Sequence, residues 1–206
     1  MWKLNFPDKK YQIILADPSW DYDILRYQKS SSSQYKKLKF GIGKKNYERM
    51  TLEDICNLPV QQIADKNSCL FLWATSPNLQ EAFQVMKSWG FTYKVVAFVW
   101  SKTNSRLVLG HYTRTNHEFV LLGTKGSLPR SHKVKQWIKA PSTIHSKKPN
   151  EVRERIIQLY GDLSRIELFA RQKIPNWDCW GNDPNLQNQP LEIFSHQLIN
   201  KELLLD

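Results

Sequence analysis

Residues 11–20 read YQIILADPSW, an apolar run that ends in an abrupt break. The run predicts a strand over 11–16, and Asp17-Pro18 ends it because proline has no amide hydrogen to donate to a sheet. A second stretch, SCLFLWA over 68–74, is apolar at almost every position, which is typical of a strand covered on both faces. Such strands predict a sheet with helices packed against each side.

The rest of the chain alternates between helical and strand patterns. The predicted elements are a helix over 51–58, a helix over 76–90, a strand over 91–100, a strand over 119–123, a helix over 149–161 and a strand over 165–169. This alternation predicts an α/β fold with a mostly parallel sheet and helices on both faces. Ligands of such sheets bind at the carboxyl ends of the strands, so we expect the chemistry at residues 17–20.

Positive charge is concentrated in two segments. The 206 residues include 30 Lys and Arg against 19 Asp and Glu, for a net charge of +11. Segment 26–49 contains one acid, Glu48, and segment 128–148 contains none. The first segment directly follows the Asp-Pro break and predicts a long basic loop that contacts a ligand. A surplus of this size favours a polyanionic partner, most simply nucleic acid.

Other features of the composition exclude several classes of protein. The length suits one domain, and no apolar run approaches the roughly 18 residues of a membrane span. The N-terminus lacks the apolar core of a secretory signal, so we expect a cytoplasmic protein. The three cysteines form no C-x-x-C pair and the five histidines show no metal-binding spacing, so we expect reduced thiols and no bound metal.

Asp17-Pro18-Ser19-Trp20 combines groups that can hold a planar amine. The carboxylate only accepts hydrogen bonds, the proline carbonyl is a second acceptor, and the tryptophan ring offers a flat apolar face. Two acceptors and a ring match the amino edge of adenine or cytosine, and stacking of a base on an aromatic side chain contributes about 1–3 kcal/mol. The alternative is an ordinary strand-end turn, because Asp-Pro commonly opens one.

The tetrapeptide resembles the Asp-Pro-Pro-Trp signature of N6-adenine methyltransferases. That family includes the catalytic subunit of the eukaryotic mRNA adenosine methyltransferase and many bacterial and phage DNA adenine methyltransferases. The match continues in order over about residues 11–183, through NYERMTLED at 46–54, CLFLWAT at 69–75, WGF at 89–91, WSKTN at 100–104, NHE at 116–118, GTKG at 123–126, KPNE at 148–151, IELFAR at 166–171 and WGN at 180–182. The resemblance implies a Rossmann-like, S-adenosylmethionine-dependent methyltransferase fold with a permuted motif order.

The resemblance also implies a domain layout. A catalytic domain would cover 1–183, with basic loop insertions at about 21–46 and 104–148, and a C-terminal tail would cover 184–206. The sequence departs from the family at Ser19, where proline is usual, and at 168–171, where LFAR replaces a glycine-rich F-x-G-x-G. Serine leaves the carboxylate, the carbonyl and the ring in place, so we expect activity to survive.

Roles for individual residues follow from the resemblance. The catalytic residues would be Asp17, Pro18, Ser19 and Trp20, of which Asp17, Pro18 and Trp20 would hold the target adenine. The cofactor-binding residues would be Asp17, Lys148, Glu167, Phe169, Arg171, Asn182 and Asp183. Within that set, Lys148 would meet the carboxylate of S-adenosylmethionine and Glu167 would accept from its ribose. No metal or covalent intermediate is implied, because the methyl group passes in line from sulfonium to nitrogen.

Nucleic-acid contacts are expected on the basic loop and on the loop at the end of the 91–100 strand. The substrate-binding residues would be Lys36, Lys37, Lys39, Lys44, Lys45, Lys102, Asn104, Arg106, Arg114, Asn116, His117 and Glu118. For His117 and Glu118 a second interpretation stays open, in which they only cap or orient the strand that follows. Trp73 and Trp100 are interpreted as core residues and not as stacking partners.

The predicted function is S-adenosylmethionine-dependent methylation of the N6 amine of adenine in nucleic acid, with DNA ahead of RNA, as in restriction–modification. One alternative is an RNA adenosine methyltransferase, and another is a catalytically silent nucleic-acid-binding subunit. Retention of Asp17, Trp20, Lys148 and Asn182 argues against the silent subunit, which has no physical need of a cofactor pocket. A homodimer, or a heterodimer with a related subunit, is compatible with the resemblance, and a bacterial or phage origin is favoured.

Overall fold

The computed structural model describes residues 6–20, 50–104, 113, 115–143, 147–181 and 186. Within these residues the chain forms seven strands and three α-helices. In chain order they are β1 (Tyr11–Ala16), α1 (Leu52–Cys56), β2 (Ala64–Ala74), α2 (Leu79–Ser88), β3 (Thr92–Lys102), β4 (His117–Lys125), β5 (Trp137–Ala140), α3 (Glu151–Tyr160), β6 (Arg165–Leu168) and β7 (Asp178–Trp180). In this part of the chain, no helix is both long enough and apolar enough to cross a membrane.

These seven strands join one sheet in the order β5-β3-β4-β2-β1-β6-β7. Strand β4 runs against its neighbours, because it pairs antiparallel with both β2 and β3. The other pairs, β1 with β2 and β6, β3 with β5, and β6 with β7, are parallel. Six strands therefore end at one edge of the sheet, where β4 begins. The prediction of a mostly parallel sheet is confirmed.

Successive side chains of β1 point to opposite faces of the sheet. Ile14 and Ala16 belong to a buried cluster with α1 and α2, whereas Ile13 and Leu15 belong to a second cluster with α3. All four residues are at most 2% exposed. Full burial of a large aliphatic side chain contributes about 1.5–3 kcal/mol, which accounts for the apolar run in the sequence. Helices cover both faces, as predicted.

Capping residues set the ends of two helices. The Thr51 hydroxyl accepts from the Asp54 amide at 3.1 Å, and the Asp54 carboxylate accepts from the Thr51 amide at 3.4 Å, a capping box that begins α1. Gly161, with φ of 82°, ends α3 at a backbone angle that glycine adopts without strain. The start of α1 at Thr51 and the end of α3 at Gly161 are both as the sequence predicts. By contrast, α2 begins at Leu79, because Ser76–Asn78 first forms a 3-10 turn.

The structure contains two strands that the sequence pattern does not predict. Strand β5 lies inside the segment 104–148, so that segment is not a loop throughout and holds both β4 and β5. Ile138 is the one buried residue of β5, and its flanking residues give no strand signal. Strand β7 has three residues, too few for a period to show. The predicted loop over 21–46 and the tail over 184–206, apart from residue 186, lie outside the described residues.

Candidate active site

The segment that follows β1 lies at the carboxyl edge of the sheet, where the sequence predicts the site. The Asp17 amide donates to the Leu168 carbonyl at 3.4 Å, which ties the end of β1 to the end of β6. The Trp20 amide donates to the Pro18 carbonyl at 2.9 Å. A carbonyl oxygen has two lone pairs, so this bond leaves Pro18 able to accept from a ligand.

The tetrapeptide is held against the core by Trp20. This residue forms a short parallel bridge with Met50, whose amide donates to the Ser19 carbonyl at 3.2 Å. Trp20 is 8% exposed and belongs to the buried cluster of α1 and α2. The ring therefore packs inside the protein in this structure, and its role in stacking on adenine stays a prediction.

Four charged side chains form an alternating array at this edge, in the order Asp17, Lys148, Glu118 and Lys102. Lys148 Nζ lies 3.1 Å from Asp17 Oδ1 and 2.9 Å from Glu118 Oε2. Lys102 Nζ lies 2.5 Å from the other oxygen, Glu118 Oε1. The four side chains are between 10% and 21% exposed. Two acids and two bases thus balance in a place that solvent hardly reaches.

Two tryptophan rings lie against the ammonium groups of this array. Lys148 Nζ is 5.1 Å from the centre of the Trp73 ring, and Lys102 Nζ is 4.9 Å from the centre of the Trp100 ring. The two rings meet edge to face with centres 6.0 Å apart, and the residues are 2% and 1% exposed. The interpretation of both tryptophans as core residues is confirmed, and their rings also contact the two ammonium groups of the charged array.

Burial and pairing act in opposite directions on the array. Burial alone would raise the pKa of Glu118, but Lys148 and Lys102 hold that pKa below its ordinary value of 4.5. Burial alone would lower the pKa of Lys148, but Asp17 and Glu118 hold that pKa above 10.5. Glu118 and Lys148 are therefore both charged at neutral pH, and the array presents fixed charges to a ligand.

Glu167 lies near the end of β6, as predicted, and has an internal partner. Arg153 of α3 donates from Nε to Glu167 Oε2 at 2.6 Å and from Nη2 to Glu167 Oε1 at 2.8 Å. The same guanidinium donates to the side chain of Asn150 at 3.0 Å. Both charged side chains of the pair are 10% exposed. This bidentate pair joins α3 to the sheet, and the ribose contact of Glu167 stays a prediction.

Arg153 is a buried charged residue of α3 that was not among the site residues predicted from the sequence. Its position in the sequence could have indicated burial, because Arg153 directly follows Val152 and stands three positions before Ile156, and both of these apolar residues are buried on α3. Glu167 likewise stands in a strand whose four residues are all buried. Two opposite charges in buried elements predict a pair, because a lone buried charge is strongly unfavourable.

The turn after β6 is tightly constrained. Phe169 has φ of 61°, a left-handed angle that is uncommon outside glycine, and its ring lies edge-on to Trp180 with centres 5.6 Å apart. Gly181 follows β7 directly, and a Cβ atom there would lie 2.3 Å from the Ala170 carbonyl oxygen. Only glycine allows the two backbones to approach this closely, so the turn is fixed where the cofactor residues are predicted.

Two loops of the predicted nucleic-acid surface are joined by Asn104. Its side chain donates to the Ser142 carbonyl at 2.9 Å and accepts from the Ser142 amide at 2.6 Å. The Asn116 carbonyl accepts a hydrogen bond of 2.9 Å from the Lys102 amide at the end of β3. The His117 ring packs against the Phe119 ring, with the ring centres 4.9 Å apart. These contacts shape the edge of the site, and direct contacts of these residues with nucleic acid stay predictions.

Other predicted residues are placed only in part. Arg171 is half-buried in the segment after β6. The following predicted residues lie outside the described part of the chain: Lys36, Lys37, Lys39, Lys44, Lys45, Arg106, Arg114, Asn182 and Asp183. The three cysteines are free thiols, and among the described residues no group of His, Cys, Asp and Glu is arranged to hold a metal ion.

The fold and the site together define a class of protein. A mostly parallel sheet, helices on both faces and an Asp-Pro-x-Trp segment at the carboxyl edge define a Rossmann-like methyltransferase fold. Residues 11–183 match the family model described as MT-A70. The chain therefore belongs to the MT-A70 family, which confirms the resemblance to N6-adenine methyltransferases.

Three characterised proteins are similar to this chain. The type II methyltransferase M.MunI of Mycoplasma sp is 38% identical over 186 residues, which cover 86% of this chain and 79% of that protein. The N6-adenosine-methyltransferase non-catalytic subunit MTB of Arabidopsis thaliana is 35% identical over 130 residues, 59% of this chain and 15% of that protein. The N(6)-adenine-specific methyltransferase METTL4 of Homo sapiens is 29% identical over 197 residues, 85% of this chain and 38% of that protein.

Proposed function

We propose that this protein transfers a methyl group from S-adenosylmethionine to the N6 amine of adenine in DNA. The observation that carries the proposal is the position of Asp17, which directly follows β1 at the carboxyl edge and shares the Lys148 ammonium with Glu118. Among the relatives, M.MunI is a type II methyltransferase by name and matches over most of both chains, while METTL4 is adenine-specific by name. Together they favour DNA and a defined recognition sequence.

The described residues fit S-adenosylmethionine by their chemistry. An ammonium group has three hydrogens to donate. Among the described residues, Lys148 donates two of them, to Asp17 and Glu118, which leaves the third for the carboxylate of a ligand. Glu167 lies near the end of the neighbouring strand, where an acid can accept from ribose hydroxyls. When bound, the cofactor supplies an electrophilic methyl group on sulfur.

Asp17 and Pro18 make the target amine nucleophilic. The lone pair of an exocyclic amine is delocalised into the base, so the free amine is a poor nucleophile. Asp17 Oδ1 lies 3.1 Å from Lys148, so the second oxygen of the carboxylate is the one that accepts from the amine. The Pro18 carbonyl accepts from the other N–H, and both acceptors stabilise the positive charge that develops on nitrogen.

The surface beside the array favours a nucleic-acid substrate. A groove of about 690 Å³ opens next to Pro149, the residue after Lys148, and Lys133 and Lys135 are among its lining residues. Glu151, Glu154 and Arg155 of α3 also line the groove, and we expect phosphate contact at Lys133 and Lys135. Reaching an adenine amine in a duplex requires base flipping, which costs a few kcal/mol, or a single-stranded substrate.

Two alternatives compete with this proposal. An RNA adenosine methyltransferase would use the same residues on a different nucleic acid. A silent subunit is favoured by the similarity to MTB, which is non-catalytic by name, but the match covers only 15% of that protein. The charged array of Asp17, Lys148 and Glu118 is complete in this chain, and this argues for catalysis.

The deciding experiment incubates the protein with radiolabelled S-adenosylmethionine and matched oligonucleotides, followed by nucleoside analysis. The oligonucleotides are DNA and RNA of the same sequence, each single- and double-stranded. We expect label in N6-methyldeoxyadenosine. Label in RNA alone would favour the RNA enzyme, and binding without label in any substrate would favour the silent subunit. Light scattering on the same preparation tests the predicted homodimer or heterodimer.

The matched variants are Asp17→Ala and Asp8→Ala. Asp17→Ala removes an acceptor for the developing charge, and we expect transfer to fall by about 10²–10³-fold. Asp8 is an exposed acid ahead of β1, so Asp8→Ala is expected to keep wild-type activity. Equal activity of the two variants would contradict the role of Asp17.

A further inference from the structure

Lys102 contacts charged and aromatic side chains within the site, and its predicted contact with nucleic acid stays a prediction. The sequence places it on a loop that meets nucleic acid, where a lysine would contact phosphate. In the structure Lys102 Nζ lies 2.5 Å from Glu118 Oε1 and 4.9 Å from the centre of the Trp100 ring. Its side chain is 21% exposed. The ammonium group is thus engaged inside the site.

We propose that Lys102 is a positioning residue that fixes Glu118 and thereby keeps Lys148 shared between Glu118 and Asp17. Each oxygen of Glu118 meets one lysine, so the carboxylate cannot turn toward either lysine without losing the other. The inference rests on the proposed function, because it concerns how Asp17 stays available to the target amine.

Strand pairing explains why Lys102 reaches Glu118. Strands β3 and β4 are antiparallel neighbours, and Trp100 lies directly opposite Glu118. Lys102 is two residues farther along β3, so it stands on the same face and diagonal to Glu118. The Lys102 amide also donates to the Asn116 carbonyl at 2.9 Å, which fixes the backbone next to Glu118.

Removal of Lys102 changes the charge that surrounds Glu118. Among the described residues, the charged groups that face Glu118 are Lys102 from β3 and Lys148 from the segment ahead of α3, with Asp17 beyond Lys148. His117 is adjacent on β4 and points to the opposite face of the sheet. Without Lys102 the array holds two acids and one base, and Glu118 depends on Lys148 alone.

This loss has a defined consequence for catalysis. With one cation fewer, the pKa of Glu118 rises, so Glu118 takes up a proton at a higher pH than in the wild type. Once neutral, it no longer attracts Lys148, which then pairs with Asp17 alone. An Asp17 carboxylate held in that way is a weaker acceptor for the amine. Methyl transfer is therefore lost at low pH and recovers as the pH rises through the raised pKa.

The kinetic test compares Lys102→Met, Lys102→Arg and the control Lys87→Met, which changes an exposed lysine on α2. The rate constant kcat for an adenine oligonucleotide is measured from about pH 5 to about pH 9. For Lys102→Met we expect the acid limb of kcat to enter this pH range, about 1 pH unit or more above the wild-type limb, which lies below the range because the wild-type pKa of Glu118 is below 4.5. We expect little change in KM for the oligonucleotide, recovery in Lys102→Arg, and wild-type behaviour in Lys87→Met.

A second readout does not depend on activity. Carbon-13 NMR of labelled glutamate carboxyl groups follows the titration of Glu118 in the protein alone, and the signal is assigned with Glu118→Gln. We expect its midpoint to lie higher in Lys102→Met than in the wild type. Thermal unfolding checks that each variant folds, and Lys102→Gln replaces Lys102→Met if the latter does not fold.

The opposite pattern would overturn the inference. If the Glu118 midpoint and the pH profile are unchanged while KM for the oligonucleotide rises and its salt dependence flattens, Lys102 is a phosphate contact. If the wild type transfers no methyl group to any substrate, the proposed function fails, and the NMR midpoint still decides whether Lys102 controls Glu118.

Discussion

Replacing Arg153 with methionine is expected to destabilise the protein by about 3–5 kcal/mol. Counted over the whole residue, backbone included, Arg153 is 9% exposed and Glu167 is 7% exposed. Two hydrogen bonds of 2.6 and 2.8 Å join the two side chains. Methionine fills much of the arginine volume but leaves the Glu167 carboxylate buried without its cation. That uncompensated charge accounts for most of the loss. Asn150 loses one further hydrogen bond, which contributes about 1 kcal/mol.

The assay is equilibrium denaturant unfolding followed by tryptophan fluorescence, with free energies compared near the midpoint. Arg153→Met combined with Glu167→Leu removes both charges and is expected to recover most of the lost stability. The control is Lys9→Met, because the Lys9 side chain is 41% exposed in its pair with Asp178, and a solvent-screened pair contributes at most about 1 kcal/mol. A loss for Arg153→Met no larger than that of the control would refute the reasoning.

Three other substitutions test separate contacts. The pKa of Glu118 is lowered in the folded protein, so the ionised carboxylate stabilises the fold at neutral pH, and this stabilisation is lost as the pH falls through the lowered pKa. The melting temperature of Glu118→Gln should therefore lie below that of the wild type at neutral pH and approach it in acid. A difference in melting temperature that stays constant with pH would contradict this prediction. Gly181→Ala places a Cβ atom 2.3 Å from the Ala170 oxygen and should cost about 1–3 kcal/mol in denaturant unfolding, whereas no loss would mean that the turn relaxes. Asn104→Ala removes both hydrogen bonds to Ser142, each worth about 1 kcal/mol, and should weaken oligonucleotide binding several-fold by fluorescence anisotropy; unchanged affinity would remove this link from the substrate surface.

Strands β1 and β2 were predictable from the sequence, whereas β5, which depends on a distant partner strand, was not. The apolar runs of β1 and β2 predict both strands, because each is covered on two faces. Strand β5 is defined by pairing with β3 and by a hydrogen bond from Trp100 Nε1 to the Ala140 carbonyl at 3.0 Å. Only Ile138 of β5 is buried, so no local period reveals it.

The same distinction holds for the site. Asp17 and Lys148 were predicted through motifs, because each belongs to a short segment that matches the resembled family. The contacts among the charged groups were not found, since they depend on register. Lys102 and Glu118 come together because β3 and β4 are antiparallel, and a parallel pair would have left Glu118 at the far end of the sheet. A sequence motif therefore predicts which residues belong to the site, whereas strand order and register determine which of their side chains are in contact.

Two buried ion-pair systems in the described part of the chain differ in their role. A buried pair is weak evidence for stability, because apolar side chains of similar size can often replace it without loss. Arg153 and Glu167 join a helix to the sheet, a task that packing can also perform, so the double apolar variant is expected to fold. The array at the strand ends cannot be replaced in that way. Apolar side chains at Lys102 and Glu118 would leave Lys148 to pair with Asp17 alone, and under the proposed mechanism Asp17 would then be a weaker acceptor for the amine even where the fold is kept.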